Sequence, residues 1–480
     1  MPPYRRWICW LTVGLVLVNT LGVLPSQAIS TKEEEELGKE FMKIIRERFE
    51  FVEDSLVVDY VNEVGQRIVA SLPTPPFPYR FHVIREDVFN AFATPAGNVF
   101  IYSGLLSAME SEEELAGLLA HEIAHVHCRH ISEKIERSKK LSIATIAGVV
   151  AGILLGIGGA GEAAQALTVG SMAAGQSAML AYSRNDEAEA DQIGLSYLYK
   201  AGYGGEGLVK VFEKILAKRW FGPKEIPTYV TTHPAVEDRI VDVRNRVADI
   251  EARQGRPAAV DPIPFLRAQT RLLANYGDEF AVLKRFEAAL AQEPDNALRH
   301  YQYGLILARV GRRAEAAQHL QRALVTKAFD PLVLVDLGKV YFLDGRYDKA
   351  LKTLESAVQT SPGDPEGLFY LGRTQLELGA PEKAVPIFVE LVQSHPEYNE
   401  GYFYLGKTYN DLGQPAEAYY NLGRFHHLKG AMKNAAFQYE RALKATPDPA
   451  RRQELEKLLA EVRDATEKKG ADSKSGHSSP

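Results

Sequence analysis

His121-Glu122-Ile123-Ala124-His125 sets two imidazoles four residues apart, with a carboxylate beside the first. On a helix, positions four apart lie about 40° from one another, so both rings can meet one tetrahedral metal ion. Glu122, about 100° round, can reach a water next to that ion. The pattern is short enough to arise by composition, so its chemistry depends on a third ligand and a cleft elsewhere in the chain.

The stretch from Arg184 to Ala201 offers the ligand. It reads as a charged amphipathic helix with Glu187, Asp191, Gly194, Leu195 and Leu198 along one face. Carboxylates on an inward face must be paired or bound to metal. Glu187 is the expected third ligand of a single zinc ion, and Asp191 is placed to accept a hydrogen bond from a ligand histidine and fix its tautomer. Zinc would acidify a water and polarise a carbonyl, and Glu122 would carry the proton to a departing amine. The expected reaction is hydrolysis of an internal peptide bond.

Other residues are weighed against plainer roles. His233, in Thr232-His233-Pro234, either stabilises the tetrahedral oxyanion, fills the fourth zinc position, or is an ordinary surface-loop histidine. Arg239 either shares the oxyanion role or pairs with an acid such as Asp242. His127 and His130 project about 240° and about 180° from His121 on one continuous helix, so both are expected to be structural. Cys128 lies about 20° from His121 but seven residues along, and is expected to be a small packed side chain.

Positioning these groups requires particular elements. Ser111-Glu112-Glu113-Glu114 predicts a capping box that starts the motif helix, whose stripe of Leu115, Leu119, Ile123 and Val126 faces a core. Upstream, the alternation of Tyr79–Ile84, then Phe89–Thr94, the turn Pro95-Ala96-Gly97-Asn98 and Val99–Tyr102 predict a small β region ending in a hairpin. Its edge can hold a peptide in extended form, or it can be plain scaffold. Two helices precede it, with apolar stripes at Leu37, Phe41, Ile44, Ile45, Phe49 and at Val57, Val58, Val61, Val64, Ile68. Leu141 to Tyr182 carries Glu162 as its one charge and a glycine cluster at Gly156–Gly161. Helices packed on the protease are favoured there over peripheral membrane contact or a mobile cover.

Bulk properties set the frame. A chain of 480 residues exceeds one ordinary core, and its formal charge of −6 gives no reason to expect nucleic acid. Arg5 and Arg6, the apolar run Trp7–Leu24 and Ser26-Gln27-Ala28 read as a signal peptide cleaved after about Ala28, with an uncleaved anchor as the alternative. Removing it leaves Cys128 alone, which suits an exported protein without disulfides.

Beyond residue 262 the chain repeats. Gly304, Gly338, Gly372 and Gly406 are 34 residues apart, as are Gly277, Gly311, Gly345, Gly379 and Gly413, and also Ala316, Ala350, Ala384 and Ala418. That period is the signature of tetratricopeptide repeats, stacked helix pairs with a concave binding surface. Gly423 and Gly430 renew the seven-residue gap only 17 residues after Gly406 and Gly413. Either the helix from Pro415 serves two repeats, or half a repeat is missing. The expected organisation is a signal peptide over 1–28, a metallopeptidase domain over 29–252, a linker over 253–262, repeats over 263–449, and a capping helix with disordered tail over 450–480.

Asn90-Ala91-Phe92-Ala93-Thr94-Pro95, Gly104-Leu105-Leu106, the histidine motif, Arg129-His130, Ser183-Arg184, Glu187–Asp191, Ala201-Gly202-Tyr203 and Thr232-His233-Pro234 together resemble the HtpX/BepA-type zinc peptidases, a gluzincin family. The resemblance covers roughly residues 30 to 250. It implies zinc on His121, His125 and Glu187, Glu122 as base, Asp191 behind the ligands, and His233 in the active site. It also implies that the strand of Asn90, Ala91, Phe92 and Ala93 lines the substrate cleft. Ala96 departs from the family pattern, which has glycine there. The implied fold is mainly α (α+β), a zincin-like domain with a small sheet followed by an all-α solenoid.

Joined to such repeats, an exported gluzincin is similar to periplasmic proteases of outer-membrane β-barrel assembly. That implies envelope-protein substrates and a partner in the outer-membrane assembly machinery, engaged through the repeats. The alternative is a latent protease acting as a repeat-based chaperone or scaffold.

Overall fold

A computed structural model describes residues 29–137, 182–221 and 228–475. The expected signal peptide and nearly all of the 141–182 stretch lie outside the described residues. The chain divides into two compact units, Met1–Tyr276 and Gly277–Pro480. No helix among the described residues is long and apolar enough to cross a membrane.

The first unit is built on a three-stranded sheet: β1 (Arg80–Ile84), β2 (Ala91–Thr94) and β3 (Asn98–Tyr102), in the order β1-β3-β2. β2 and β3 form the expected antiparallel hairpin, with Phe92 opposite Phe100. β1 pairs parallel to β3, which periodicity alone does not reveal. The hairpin turns on Ala96, held at φ 65°, where a Cβ is strained.

Alternation gives the sheet two apolar faces. Phe92, Phe100 and Tyr102 meet Leu37, Phe41 and Ile45 of α1 (Thr31–Arg48), while Val83, Val99, Ala91 and Ala93 meet the larger core. That core takes Val57, Val61, Val64 and Ile68 from α2 (Ser55–Val69). α3 (Ser103–Ala108) leads from β3 to the motif helix α4 (Glu112–His127), buried from Glu114 to Val126.

Ser111 caps α4 by accepting from the Glu114 amide, but the expected capping box is not closed. The Glu114 carboxylate accepts instead from the Glu110 amide and from Lys214 Nζ, whose charge is the stronger donor.

Short α5 (His130–Arg137) follows a reversal at Arg129, at φ 55°. Then come α6 (Arg184–Lys200), α7 (Glu206–Phe221), α8 (Thr228–Thr232), α9 (Val236–Gln254) and α10 (Pro262–Tyr276). α6 crosses α4 at Gly194, where a Cβ would stand 3.1 Å from the Ala120 carbonyl oxygen.

α10 departs from the expected boundary, which placed it in the repeats. Phe265, Ala268 and Leu272 enter the core of the first unit, and Arg271 pairs with buried Asp54 at 2.8 Å. The Glu53 and Asp54 amides donate to the Tyr276 hydroxyl. The division between units therefore falls after Tyr276, beyond the expected 253–262 linker.

The second unit is all α: α11 (Glu279–Gln292), α12 (Ala297–Arg309), α13 (Arg313–Ala323), α14 (Pro331–Leu343), α15 (Tyr347–Thr360), α16 (Pro365–Glu377), α17 (Pro381–Ser394), α18 (Asn399–Asp411), α19 (Pro415–Leu428), α20 (Met432–Ala445) and α21 (Pro449–Ser475). The two glycine series have different physical causes. At Gly338 a Cβ would lie 2.5 Å from Leu354 Cγ, so the glycine sets how closely α14 meets α15. Gly345 stands at φ 73° in a left-handed cap, with the Arg346 amide bonded back to the Tyr341 carbonyl. Gly277 keeps the spacing without the positive φ.

The slip in spacing resolves as a shared helix. Gly406 of α18 faces Leu422 of α19, and Gly423 of α19 faces Tyr439 of α20. α21 buries Leu455, Leu458, Leu459 and Val462 as a cap, and its helix continues to Ser475, into the stretch expected to be a tail.

Candidate active site

α4 presents His121 and His125 from one face, with their Nε2 atoms 3.0 Å apart. The close crossing at Gly194 brings α6 against them. Glu187 places Oε2 3.5 Å from His121 Nε2 and Oε1 3.5 Å from His125 Nε2. Asp191, one turn on, lies 2.9 Å from His121 Nδ1.

His233 follows α8 and is fully buried, so the surface-loop alternative is excluded. Its ring stacks on Tyr229, with centroids 4.1 Å apart, and its Nε2 stands 3.5 Å from Glu122 Oε1. Ligand atoms of His121, His125, Glu187 and His233 all lie within 4.8 Å of one another.

Arg239 reaches into the same pocket from α9. Its Nε and Nη2 donate to the two Asp191 oxygens at 2.8 and 2.7 Å, and its Nη1 forms an ion pair with Glu187. Its carboxylate partners are therefore Asp191 and Glu187 in place of Asp242.

The electrostatics follow from near-complete burial. Desolvation raises the Glu122 pKa to about 7, the range of a working general base. Burial also opposes charge on His121, but Asp191 and Glu187 outweigh it and raise its pKa to about 9. Burial and the neighbouring cations hold His125 and His233 well below the usual histidine range. Asp191 resists the raising effect of burial because Arg239 draws it down to about 2.

Both oxygens of Glu122, Oε1 of Glu187 and His233 Nε2 are buried without a hydrogen-bond partner, while Glu187 Oε2 is held by Arg239. Orphaned polar atoms cost about 1–3 kcal/mol each, so their convergence beside two imidazoles fits a bound cation. Imidazole nitrogens with one carboxylate form a zinc-type donor set.

Asn90, Ala91, Phe92 and Ala93 are buried at β2, which pairs with β3 on one side and is an edge of the sheet. Two neighbours escaped the sequence reading, and a third, His130, stays outside the first ligand cluster as expected but makes an unforeseen contact. Tyr182 stacks on His125 with centroids 3.8 Å apart, and nothing in its sequence context marks it. Tyr229 precedes His233 by four residues, a spacing that hints at their contact. His130 Nδ1 lies 2.9 Å from His125 Nδ1, because Arg129 ends the helix on which the 180° projection was counted.

Residues 56–247 match the model of peptidase family M48, and residues 283–332, 341–403 and 416–449 match tetratricopeptide repeat models. A beta-barrel assembly-enhancing protease of Yersinia pestis is 30% identical over 54% of this chain and 52% of its own length. The protein of that name from Escherichia coli is 27% identical over 67% of this chain and 64% of its own. A mitochondrial metalloendopeptidase of Schizosaccharomyces pombe is 29% identical over 41% and 54%. The matches thus span about half to under two thirds of those relatives. Among solved structures, MamA is similar at 17% identity over 37% of this chain and 99% of that chain, with a TM-score of 0.31. The chain carries a peptidase family M48 domain over residues 56–247 and tetratricopeptide repeats between residues 283 and 449.

Proposed function

We propose that this chain is a zinc-dependent endopeptidase that works on unfolded or stalled envelope proteins and recruits them, or their assembly machinery, through its repeats. The observation that carries the reading is the convergence of His121, His125, Glu187 and His233 beside Glu122, whose two oxygens are buried without a hydrogen-bond partner.

His121, His125 and Glu187 would hold one zinc ion, which when bound supplies Lewis-acid polarisation of the scissile carbonyl. Glu122 accepts the proton of the attacking water and returns it to the departing amine. Asp191 holds His121 through Nδ1 and is itself held by Arg239. His233 either contacts the developing oxyanion or serves as a fourth ligand. β2, the edge strand of the sheet, is the one an extended peptide would pair with.

The envelope substrates, the outer-membrane partner and a periplasmic location rest on the relatives named for β-barrel assembly and on the leader-like first 28 residues. A second reading, a latent protease acting as a chaperone or scaffold, is favoured by the burial of His233 and the Tyr182 ring laid over His125.

Zinc-loaded protein should cleave casein or an unfolded barrel protein, and Glu122→Gln should not. If wild type and His233→Ala are both inert after zinc loading, the latent reading replaces the enzymatic one. Equal cleavage by wild type and Glu122→Gln would remove Glu122 from the chemistry.

A further inference from the structure

Cys128, His130 and Glu189 make a second cluster, with Sγ, an imidazole nitrogen and a carboxylate oxygen all within 4.8 Å of one another. The local fold builds it. Cys128 ends α4, and Arg129 turns through the left-handed region with its side chain bound to Glu34 and to the Ile29 carbonyl. That reversal starts α5 at His130, whose ring is 4% exposed and lies between His125 and Glu189. His130 Nε2 stands 3.4 Å from Glu189 Oε2.

We propose that Cys128, His130 and Glu189 form a second divalent-metal site, coupled to the first through the contact between His125 and His130. A mixed sulfur, nitrogen and oxygen set suits a borderline ion of the zinc and cobalt kind, whereas calcium and magnesium take oxygen ligands. Cys128 is half-buried and Glu189 mostly exposed, so the site opens to solvent and leaves its fourth position to water. Binding converts the thiol to a thiolate, and its proton leaves to solvent.

The coupling follows from hydrogen positions. The contact of 2.9 Å between His125 Nδ1 and His130 Nδ1 needs a hydrogen on one nitrogen and a lone pair on the other. When His125 gives Nε2 to the first ion, its hydrogen sits on Nδ1 and points at His130. When His130 gives Nε2 to the second ion, its own hydrogen sits on Nδ1 and points back. Two N–H groups cannot bond, so filling the second site opens this contact and loosens His125. The two ions therefore antagonise each other.

Titrating the metal-free full chain with Co²⁺ under reducing conditions tests this directly. The first site has no sulfur, so a thiolate-to-cobalt charge-transfer band reports the second alone. Wild type should take two equivalents, with the band growing on the second. Cys128→Ala should take one equivalent and show no band. Glu189→Gln, an exposed change with little risk to folding, should keep the band but weaken second-site binding at least about 10-fold. In His121→Ala the band should appear with affinity at least about 10-fold tighter than in wild type, the antagonist having been removed. Saturation of wild type at one equivalent without a sulfur band, or two equivalents in Cys128→Ala, overturns the site. Equal second-site affinity in wild type and His121→Ala overturns the coupling.

Discussion

The two units place their unsatisfied buried polar groups differently. In the first, His121, Glu122, Glu187 and His233 are brought together from three separate segments with no exposure, and several of their atoms lack hydrogen-bond partners. In the second, the fully buried Thr374 and Thr408 donate to carbonyls four residues back, within their own helices. One unit gathers unpartnered atoms of Glu122, Glu187 and His233 at a single buried site. The other packs nearest neighbours through repeated small residues, and its unpartnered buried atoms, Asn399 Oδ1, Arg424 Nε and Gln438 Oε1 among them, lie singly on separate helices. The candidate site gathers its unsatisfied capacity at one point, whereas the repeats spread theirs along the stack.

Four changes break or sharpen that contrast. Glu122→Gln should lower zinc-dependent peptide cleavage by about 10²–10⁴-fold with both units still folded, as read by turnover and circular dichroism. Retained cleavage would mean that the unpartnered carboxylate has no chemical role.

Arg239→Ala strips the cation from Asp191 and Glu187 and should destabilise the metal-free first unit by about 3–5 kcal/mol. Denaturant titration should show the loss in one transition, with metal loading recovering part of it. A loss spread over both transitions would contradict the separation of the units.

Gly338→Val drives a side chain into Leu354 and should cost about 1–3 kcal/mol. The loss should fall in the transition that Arg239→Ala leaves unmoved.

The smallest effect concerns pH. His300 Nδ1 and His319 Nδ1 face each other at 2.9 Å, and burial lowers both pKa values, with Arg322 adding to it at His300 and His300 itself at His319. The unfolded chain then binds more protons than the fold once pH drops below about 6.5, so stability of the repeat unit should decline there and be flat above. His300→Gln should flatten that slope in thermal melts taken from pH 7.5 to 5. An unchanged slope would place the titrating groups elsewhere.

Much of this was legible beforehand, for reasons that differ by region. The 34-residue period exposed the repeats because each helix pair meets its neighbour through the same positions, so Gly338 and Gly372 answer the same constraint. The shared helix α19 was foreseen as one of two options, and the facing of Gly406 and Gly423 to opposite neighbours selects it. At the candidate site, the positions of His121, His125, Glu187 and Asp191 follow from helical spacing. For Arg239 the sequence offers a share in the oxyanion role or a pair with an acid such as Asp242, and its partners Asp191 and Glu187 are not legible because sequence proximity does not show which helix faces which. His130 stays out of the first ligand cluster as its angle implies, but its contact with His125 is not legible because Arg129 leaves the helix on which that angle was counted.

By itself, then, the sequence determined what is periodic or local: the motif helix and its Ser111 cap, the β2–β3 hairpin, and the repeat register. Those follow from backbone geometry and side-chain direction within a few residues. Only the tertiary structure decided the parallel pairing of β1 with β3, the docking of α10 on the first unit, and the burial of His233 against Tyr229. It also set Arg239 on Asp191 and Glu187, and His130 on His125. These are contacts between segments far apart in the chain or across a sharp reversal, chosen by which apolar surfaces close over one another, and no local spacing encodes that choice.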